Sequence, residues 1–205
     1  MKKGLMVVIS GPAGSGKGTV NALLLATGEY VYSVSATTRA PRPGEVDGVT
    51  YHYITKEEFE DRLSRDGMLE HTEYCGCYYG TPRKEAMDVL ESGKNLLLEI
   101  EVDGAMQIKK KFPDAVLIML LPPSYAEQEK RLRGRGTETE EKILARLAQA
   151  KVELQYLPQY DYVVYNQDGG ADACAEQIRA ILYAEQFAAS RDPEAIQKFF
   201  SNHET

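Results

Sequence analysis

The sequence predicts an α/β fold, a mostly parallel sheet flanked by helices, and three observations carry that prediction. Residues 95–101 and 116–121 are nearly continuous apolar runs, the pattern of strands buried on both faces. Segments of helical composition separate these runs from further strands near residues 5, 31 and 162, the alternation expected of βαβ crossovers. A glycine-rich stretch, Gly11-Pro12-Ala13-Gly14-Ser15-Gly16-Lys17-Gly18-Thr19, joins the first strand to the first helix.

That stretch carries the clearest chemistry. Gly11, Gly14 and Gly16 let the chain turn back and leave backbone N–H groups free to surround a polyphosphate, while the helix N-terminus and Lys17 add positive charge. The spacing fits the phosphate-binding loop (P-loop) pattern G-x-x-x-x-G-K-[ST], with Gly18 where the hydroxyl is expected. Thr19, one residue on, offers a hydroxyl suited to an α-phosphate. Without the loop hydroxyl, Mg²⁺ is expected to be held through phosphates and water, close to Glu99.

The elements follow in order. Residues 5–9 form the first strand and residues 20–25 belong to the first helix; residues 30–35 are rich in β-formers and read as a strand. Residues 36–48 hold hydroxyls, two arginines, prolines and glycines without periodicity, so they read as a loop, long enough to be functional. Residues 51–54 alternate as a short strand, and Thr55 with Glu58 opens a helix to about Arg65. Residues 68–74 and 78–79 read as further strands, and Thr81-Pro82 as the cap and first turn of a helix ending near Gly93. A helix over 103–111 leads to the strand 116–121, which Pro122-Pro123 stops, and Ser124 with Glu127 caps the next helix. After Gly134-Arg135-Gly136-Thr137 a long helix spans 138–156 with Ile143, Leu147, Ala150 and Leu154 on one face. A last strand, 162–165, precedes a helix over 172–188, and Ile196, Phe199 and Phe200 lie at helical spacing near the end.

Composition bounds the function. The chain has 205 residues, 43% hydrophobic and 27% charged, enough for one domain with an insertion over the short strands between 50 and 80. No apolar stretch nears the roughly 18 residues of a membrane span, and the expectation is a soluble cytoplasmic protein with no export signal and no membrane partner. Cys75, Cys77 and Cys174 lack zinc-site spacing and read as free thiols, and His52, His71 and His203 show no ligand spacing. A net charge of −7 argues against nucleic acid as a partner. Arginines gather locally nonetheless, as Arg39 and Arg42 and then as Arg131, Arg133, Arg135 and Arg146.

Several motifs now stand in one order: the P-loop, Ser35-x-Thr37-Thr38-Arg39-x-Pro41-Arg42-x-Gly44-Glu45-x-x-Gly48, Tyr78-Tyr79-Gly80-Thr81, and Arg135-Gly136-Thr137-Glu138. Together they make the chain resemble guanylate kinase from about Gly4 to Tyr183. The resemblance implies a P-loop NTPase core at 4–34 and 94–184, a small mixed α/β nucleotide-monophosphate insertion at about 35–93, and a lid at about 128–152. Residues 185–205 form an extension whose role the family pattern does not supply.

It also implies ATP-dependent phosphorylation of GMP, and of dGMP, with Mg²⁺. The residues matching the family's GMP-phosphate contacts are Arg39, Arg42, Tyr51 and Tyr79, with Glu45 nearby; those matching its guanine contacts are Ser35, Glu70 and Thr81. ATP falls to residues 11–19, with Arg131 on the ATP side and Arg135 at the lid. Lys17, Arg42, Arg135 and Arg146 form the catalytic set around the transferring phosphoryl group. Ala13 and Gly18 depart from the serine or threonine of many members, and Glu101 stands where aspartate is common. Glu99 is therefore preferred to Glu101 for holding metal-bound water, and both are candidates at the GMP side.

These residue types suit the task independently of the resemblance. Arginine's planar fork donates parallel hydrogen bonds to phosphate, and tyrosine hydroxyls complete a dianion's shell. The acceptor phosphate is already largely ionised, so no general base is needed. A silent module that binds phosphorylated protein segments would not need Lys17 in a complete P-loop. A kinase for another small phosphate would not need Glu70 and Thr81. Oligomeric state is left open by the sequence.

Overall fold

The computed structural model describes residues 3–74, 76–134, 136 and 138–201. Five parallel strands form the central sheet in the order β2-β7-β1-β8-β9, where β1 is Met6–Ser10, β2 Tyr30–Tyr32, β7 Asn95–Glu99, β8 Val116–Leu121 and β9 Tyr162–Tyr165. Alternation along β1 explains why the run is apolar throughout. Val7 and Ile9 pack with Val20 and Leu24 of α1 (Lys17–Ala26) and with Ile178 and Leu182 of α7 (Ala171–Glu185). Met6 and Val8 pack on the other face with Leu90 of α3 (Arg83–Glu91) and Ile108 of α4 (Val102–Lys111). Both faces are covered, so both parities of position from Met6 to Ile9 are apolar, and Ser10 ends the strand with its hydroxyl donating to the Ile100 carbonyl at 2.8 Å.

A second sheet has the order β4-β3-β6-β5, with β3 Ala36–Thr37, β4 His52–Tyr53, β5 Met68–Tyr74 and β6 Cys77–Pro82. β3 runs parallel to β4 and antiparallel to β6, and β6 is antiparallel to β5. Its small core packs Phe59 of α2 (Lys56–Ser64) against Ala36 and Met68. Thr55 caps α2 as expected, its hydroxyl accepting from the Glu58 N–H at 3.1 Å. Ser124 likewise accepts from the Glu127 N–H at 3.1 Å ahead of α5 (Tyr125–Gly134). Leu132 of α5 packs with Ile143 and Leu147 of α6 (Glu140–Glu153), and Ala13 of the glycine-rich loop rests on this cluster.

Five local expectations are corrected. The strand expected over 30–35 stops at Tyr32: the Ser33 N–H still donates to Leu97, but the chain then crosses to the second sheet as β3, inside the stretch read wholly as loop. Two paired residues carry no periodicity for a sequence to display. Thr81 is not a helix cap, because β6 continues through Pro82, which occupies the cap position of α3. The strand expected to reach Glu101 ends at Glu99, and Glu101 is the extended residue preceding α4. The long helix expected to 156 becomes a 3-10 turn over Leu154–Gln159, since Pro158 has no N–H to give the Leu154 carbonyl; Leu154 is exposed. The last long helix ends at Glu185, short of 188, and a separate α8 (Ala195–Ser201) leaves Ile196, Phe199 and Phe200 exposed.

Candidate active site

The loop after β1 bounds a cleft of about 260 Å³ lined by residues 12–19, Glu99 and Arg146. Its backbone is held from outside, carbonyl by carbonyl. Gln128, itself buried, donates to the Ala13 carbonyl at 3.0 Å, and the Asn166 side-chain amide donates to the Ser15 carbonyl at 2.9 Å. Lys17 Nζ donates to the Gly11 carbonyl. Arg131 donates to the Asn166 carbonyl at 2.9 Å, approaches the Gly14 carbonyl at 3.5 Å and pairs with Glu127 at 3.0 Å. The Ser15 N–H closes a turn on the Pro12 carbonyl at 3.1 Å, and α1 begins beside the cleft at Lys17 with no acidic residue in its first turn. Gly16 takes the left-handed conformation (φ 91°), and a β-carbon there would lie 2.2 Å from Asn166 Nδ2.

Glu99, at the carboxyl end of β7, links this cleft to the second sheet. Its Oε2 accepts from Asn21 Nδ2 at 2.8 Å. Burial, then the charge and hydrogen bonding of Glu99, push the Tyr32 hydroxyl up from its ordinary value. Tyr51 is raised too, chiefly by burial and then by Tyr79, with Arg39 opposing and Glu99 contributing. Around Tyr51 the second sheet gathers Tyr79 and Tyr53, each at 6.0 Å between ring centroids, and the Arg39 guanidinium at 5.6 Å. Arg39 pairs with Glu45 at 2.9 Å, and Glu45 also accepts from the Arg42 N–H at 2.7 Å and the Tyr53 hydroxyl at 2.8 Å. Those three donors hold the Glu45 carboxyl down to about 2. The Arg42 side chain is exposed.

Glu70 and Thr81 meet in the interior. The Thr81 hydroxyl donates to Glu70 Oε1 at 2.7 Å, and both residues are buried. A β-bulge makes the meeting possible: Met68 pairs with Pro82 and His71 with Gly80, so Leu69 and Glu70 together face Thr81. Burial pushes the Glu70 carboxyl up, with Thr81 and Lys111 opposing. Ser35 lies between β2 and β3, half-buried, its carbonyl accepting from the His52 N–H at 2.9 Å.

Other expected residues sit at the margin. Arg146 is paired with Glu138 at 2.7 Å. Glu101 is exposed at the start of α4, outside the residues that line the cleft. Arg135 and Thr137 lie outside the described residues, as do Cys75 and His203. Sequence reasoning missed Asn21, Tyr32, Tyr53, Gln128 and Asn166. Asn21 was findable, being one helical turn beyond Lys17, and Asn166 ends a parallel strand on the edge where such folds bind ligands.

The cleft offers a metal few protein donors. Among the described residues no group of three or more His, Cys, Asp or Glu side chains could hold an ion, and the cleft's carboxylate is Glu99. That fits Mg²⁺, which keeps most of its waters and takes its other ligands from phosphates.

A parallel sheet with a phosphate-cradling loop at its carboxyl edge, beside a small mixed sheet carrying arginine and tyrosine, defines a P-loop nucleoside monophosphate kinase. A sequence model of the guanylate kinase family matches residues 3–185. Guanylate kinase of Halalkalibacterium halodurans is 49% identical over 191 residues, covering 93% of both chains. That of Streptococcus pneumoniae (strain R6) is 47% identical over 191 residues, covering 92% of this chain and 91% of its own. The crystal structure of guanylate kinase from Anaplasma phagocytophilum superposes with a TM-score of 0.75 at 36% identity, covering 93% of this chain and 90% of that one. The chain belongs to the guanylate kinase family, which typically uses Mg²⁺ with ATP, and its reaction is the ATP-dependent phosphorylation of GMP to GDP. Among the described residues no helix is long and apolar enough to cross a membrane.

Proposed function

We propose that ATP lies with its phosphates on residues 11–19 and GMP on the second sheet, the two phosphate chains meeting beside Glu99. The observation that carries this reading is the position of Glu99, which lines the P-loop cleft at the carboxyl end of β7, beside β2, from whose end the chain crosses to the second sheet. Lys17 would neutralise the β- and γ-phosphates, and Arg146, with Arg135 from the lid, would reach the phosphoryl group in transfer. Arg39, Arg42, Tyr51 and Tyr79 would hold the GMP phosphate, with Glu45 orienting Arg39 and Arg42. Glu70, Thr81 and Ser35 would read guanine. Glu101, the N-cap residue of α4, would contribute on the GMP side.

Glu99 would hold Mg²⁺ through water beside the nucleotide phosphates, and the ion would supply charge neutralisation there. Asn21 fixes the Glu99 carboxylate by donating to its Oε2. The acceptor oxygen needs no base, so catalysis rests on alignment and on cancelling repulsion between two anions. We assign the core to 4–34 and 94–184, the GMP-binding insertion to about 35–93 and the lid to about 128–152; 185–205 stand outside these. The same contacts accept dGMP, since none of the assigned groups requires the ribose 2′-hydroxyl.

A coupled ADP-release assay with GMP, dGMP, AMP, UMP or no acceptor tests the reading. Turnover with GMP and dGMP and almost none with the others is expected. Equal turnover with AMP would remove the guanine assignment.

A further inference from the structure

β5 is an edge strand of the second sheet, and α4 of the central domain layer closes that edge at three successive residues around the bulge. Lys111 Nζ donates to the Leu69 carbonyl at 2.8 Å. Gln107 brackets His71, its amide donating to the His71 carbonyl at 2.8 Å and its Oε1 accepting from the His71 N–H at 3.2 Å. Between these clamps stands Glu70. Its Oε1 is taken by Thr81, while its Oε2 lies so close to Gly104 of α4 that a β-carbon there would sit 2.6 Å from Oε2 and 3.2 Å from Cδ.

Backbone conformation does not require this glycine. Gly104 lies within a regular helix and is absent from the residues with positive φ. In such a position alanine is favoured over glycine by about 1 kcal/mol. What the glycine provides is room for the carboxylate, and the clash that alanine would introduce falls at the end of a flexible side chain. Relief therefore comes from moving Glu70 and leaves the packing of α4 intact.

We propose that Gly104 is a specificity-determining residue: it forms a notch that seats the Glu70 carboxylate, while Gln107 and Lys111 hold the bulged strand in register beside it. The proposal rests on the assignment of Glu70 to the guanine base. Gly104 touches no substrate and acts through Glu70, so it is a positioning residue.

The test is a double-mutant cycle of Gly104→Ala and Glu70→Asp, with KM measured separately for GMP and ATP and with thermal unfolding. Gly104→Ala is expected to lower kcat/KM for GMP by about tenfold or more, to leave KM for ATP within about twofold and to leave Tm unchanged or raised. In the Glu70→Asp background, where the shorter side chain no longer reaches the notch, adding Gly104→Ala is expected to cost less than about threefold. Parent-like GMP kinetics, equal rises in both KM values, equal losses in both backgrounds, or a variant that fails to fold would overturn the proposal. Glu70→Asp that keeps full discrimination of GMP over AMP would instead overturn the guanine assignment beneath it.

Discussion

The side-chain amide of Asn166 donates to the Ser15 carbonyl at 2.9 Å, tying the end of the last strand to a loop 151 residues earlier in the chain. Asn166 also extends the sheet, its N–H donating to the Leu121 carbonyl at 2.8 Å, so the brace is as rigid as the ladder it ends. Asn166→Ala leaves a buried carbonyl unpaired, a loss of about 1–3 kcal/mol. The expected result is a lower Tm together with a KM for ATP that rises more than the KM for GMP. A change confined to GMP would show that the brace does not serve the loop.

Lys17 is the next test. It begins α1 beside the cleft and is only partly buried, so removing it disturbs no core packing. Lys17→Ala is expected to lower turnover by about 10²-fold or more while the unfolding transition stays where it is, because the charge matters to developing negative charge and not to the fold. Steady-state turnover and circular dichroism decide it, and near-normal activity in a folded variant removes Lys17 from the mechanism.

Acid titration probes the arginine and tyrosine surface. The Glu45 carboxyl is held at about 2 by Arg39, the Arg42 N–H and Tyr53, well below its ordinary 4.5. A depressed carboxyl contributes stability that is complete above 4.5 and is lost as pH falls through about 2. Urea unfolding of the parent and of Glu45→Gln should therefore differ most above pH 4.5 and converge toward pH 2. A constant difference across that window would mean that Glu45 is not held by ionic hydrogen bonds.

What the sequence made legible was local or periodic. The glycine loop announces itself by spacing, the buried strands by unbroken apolar runs, and the helix starts at Thr55 and Ser124 by a hydroxyl three residues before an acid. What it hid depends on distant partners. Gln128 and Asn166 brace the loop from 115 and 151 residues away; the strand end marks Asn166 only as lying on the ligand edge, and no local pattern distinguishes Gln128 from an ordinary polar residue. Thr81 shows the limit clearly: a threonine before a proline has the form of a helix cap, but a bulge in the neighbouring strand gives its hydroxyl to Glu70 instead. A bulge shifts register by one residue, and composition leaves no mark of it.

If Glu70 reads guanine as proposed, it joins stability and selection in one group, and the two should move in opposite directions when it is changed. Guanine presents N1–H and the 2-amino group side by side, two donors that one carboxylate accepts together, whereas adenine offers an unprotonated N1. Glu70 must be ionised for this, yet burial pushes its carboxyl above the ordinary 4.5, with Thr81 and Lys111 only partly opposing. A raised carboxyl contributes stability that is complete below 4.5 and is lost as pH rises through its folded value. Above that folded value the protein carries the burden of a buried charge, which Glu70→Gln removes. The variant is expected to be no less stable than the parent at pH 7, while kcat/KM for GMP falls by about 10²-fold to 10⁴-fold and KM for ATP holds. In the parent, kcat/KM for GMP should fall on the acid side through a carboxyl titrating above 4.5. That limb should be missing from Glu70→Gln, while ionisation of the substrate phosphate near pH 6 remains in both. If Glu70→Gln uses GMP as well as the parent and still refuses AMP, base selection lies elsewhere on the second sheet.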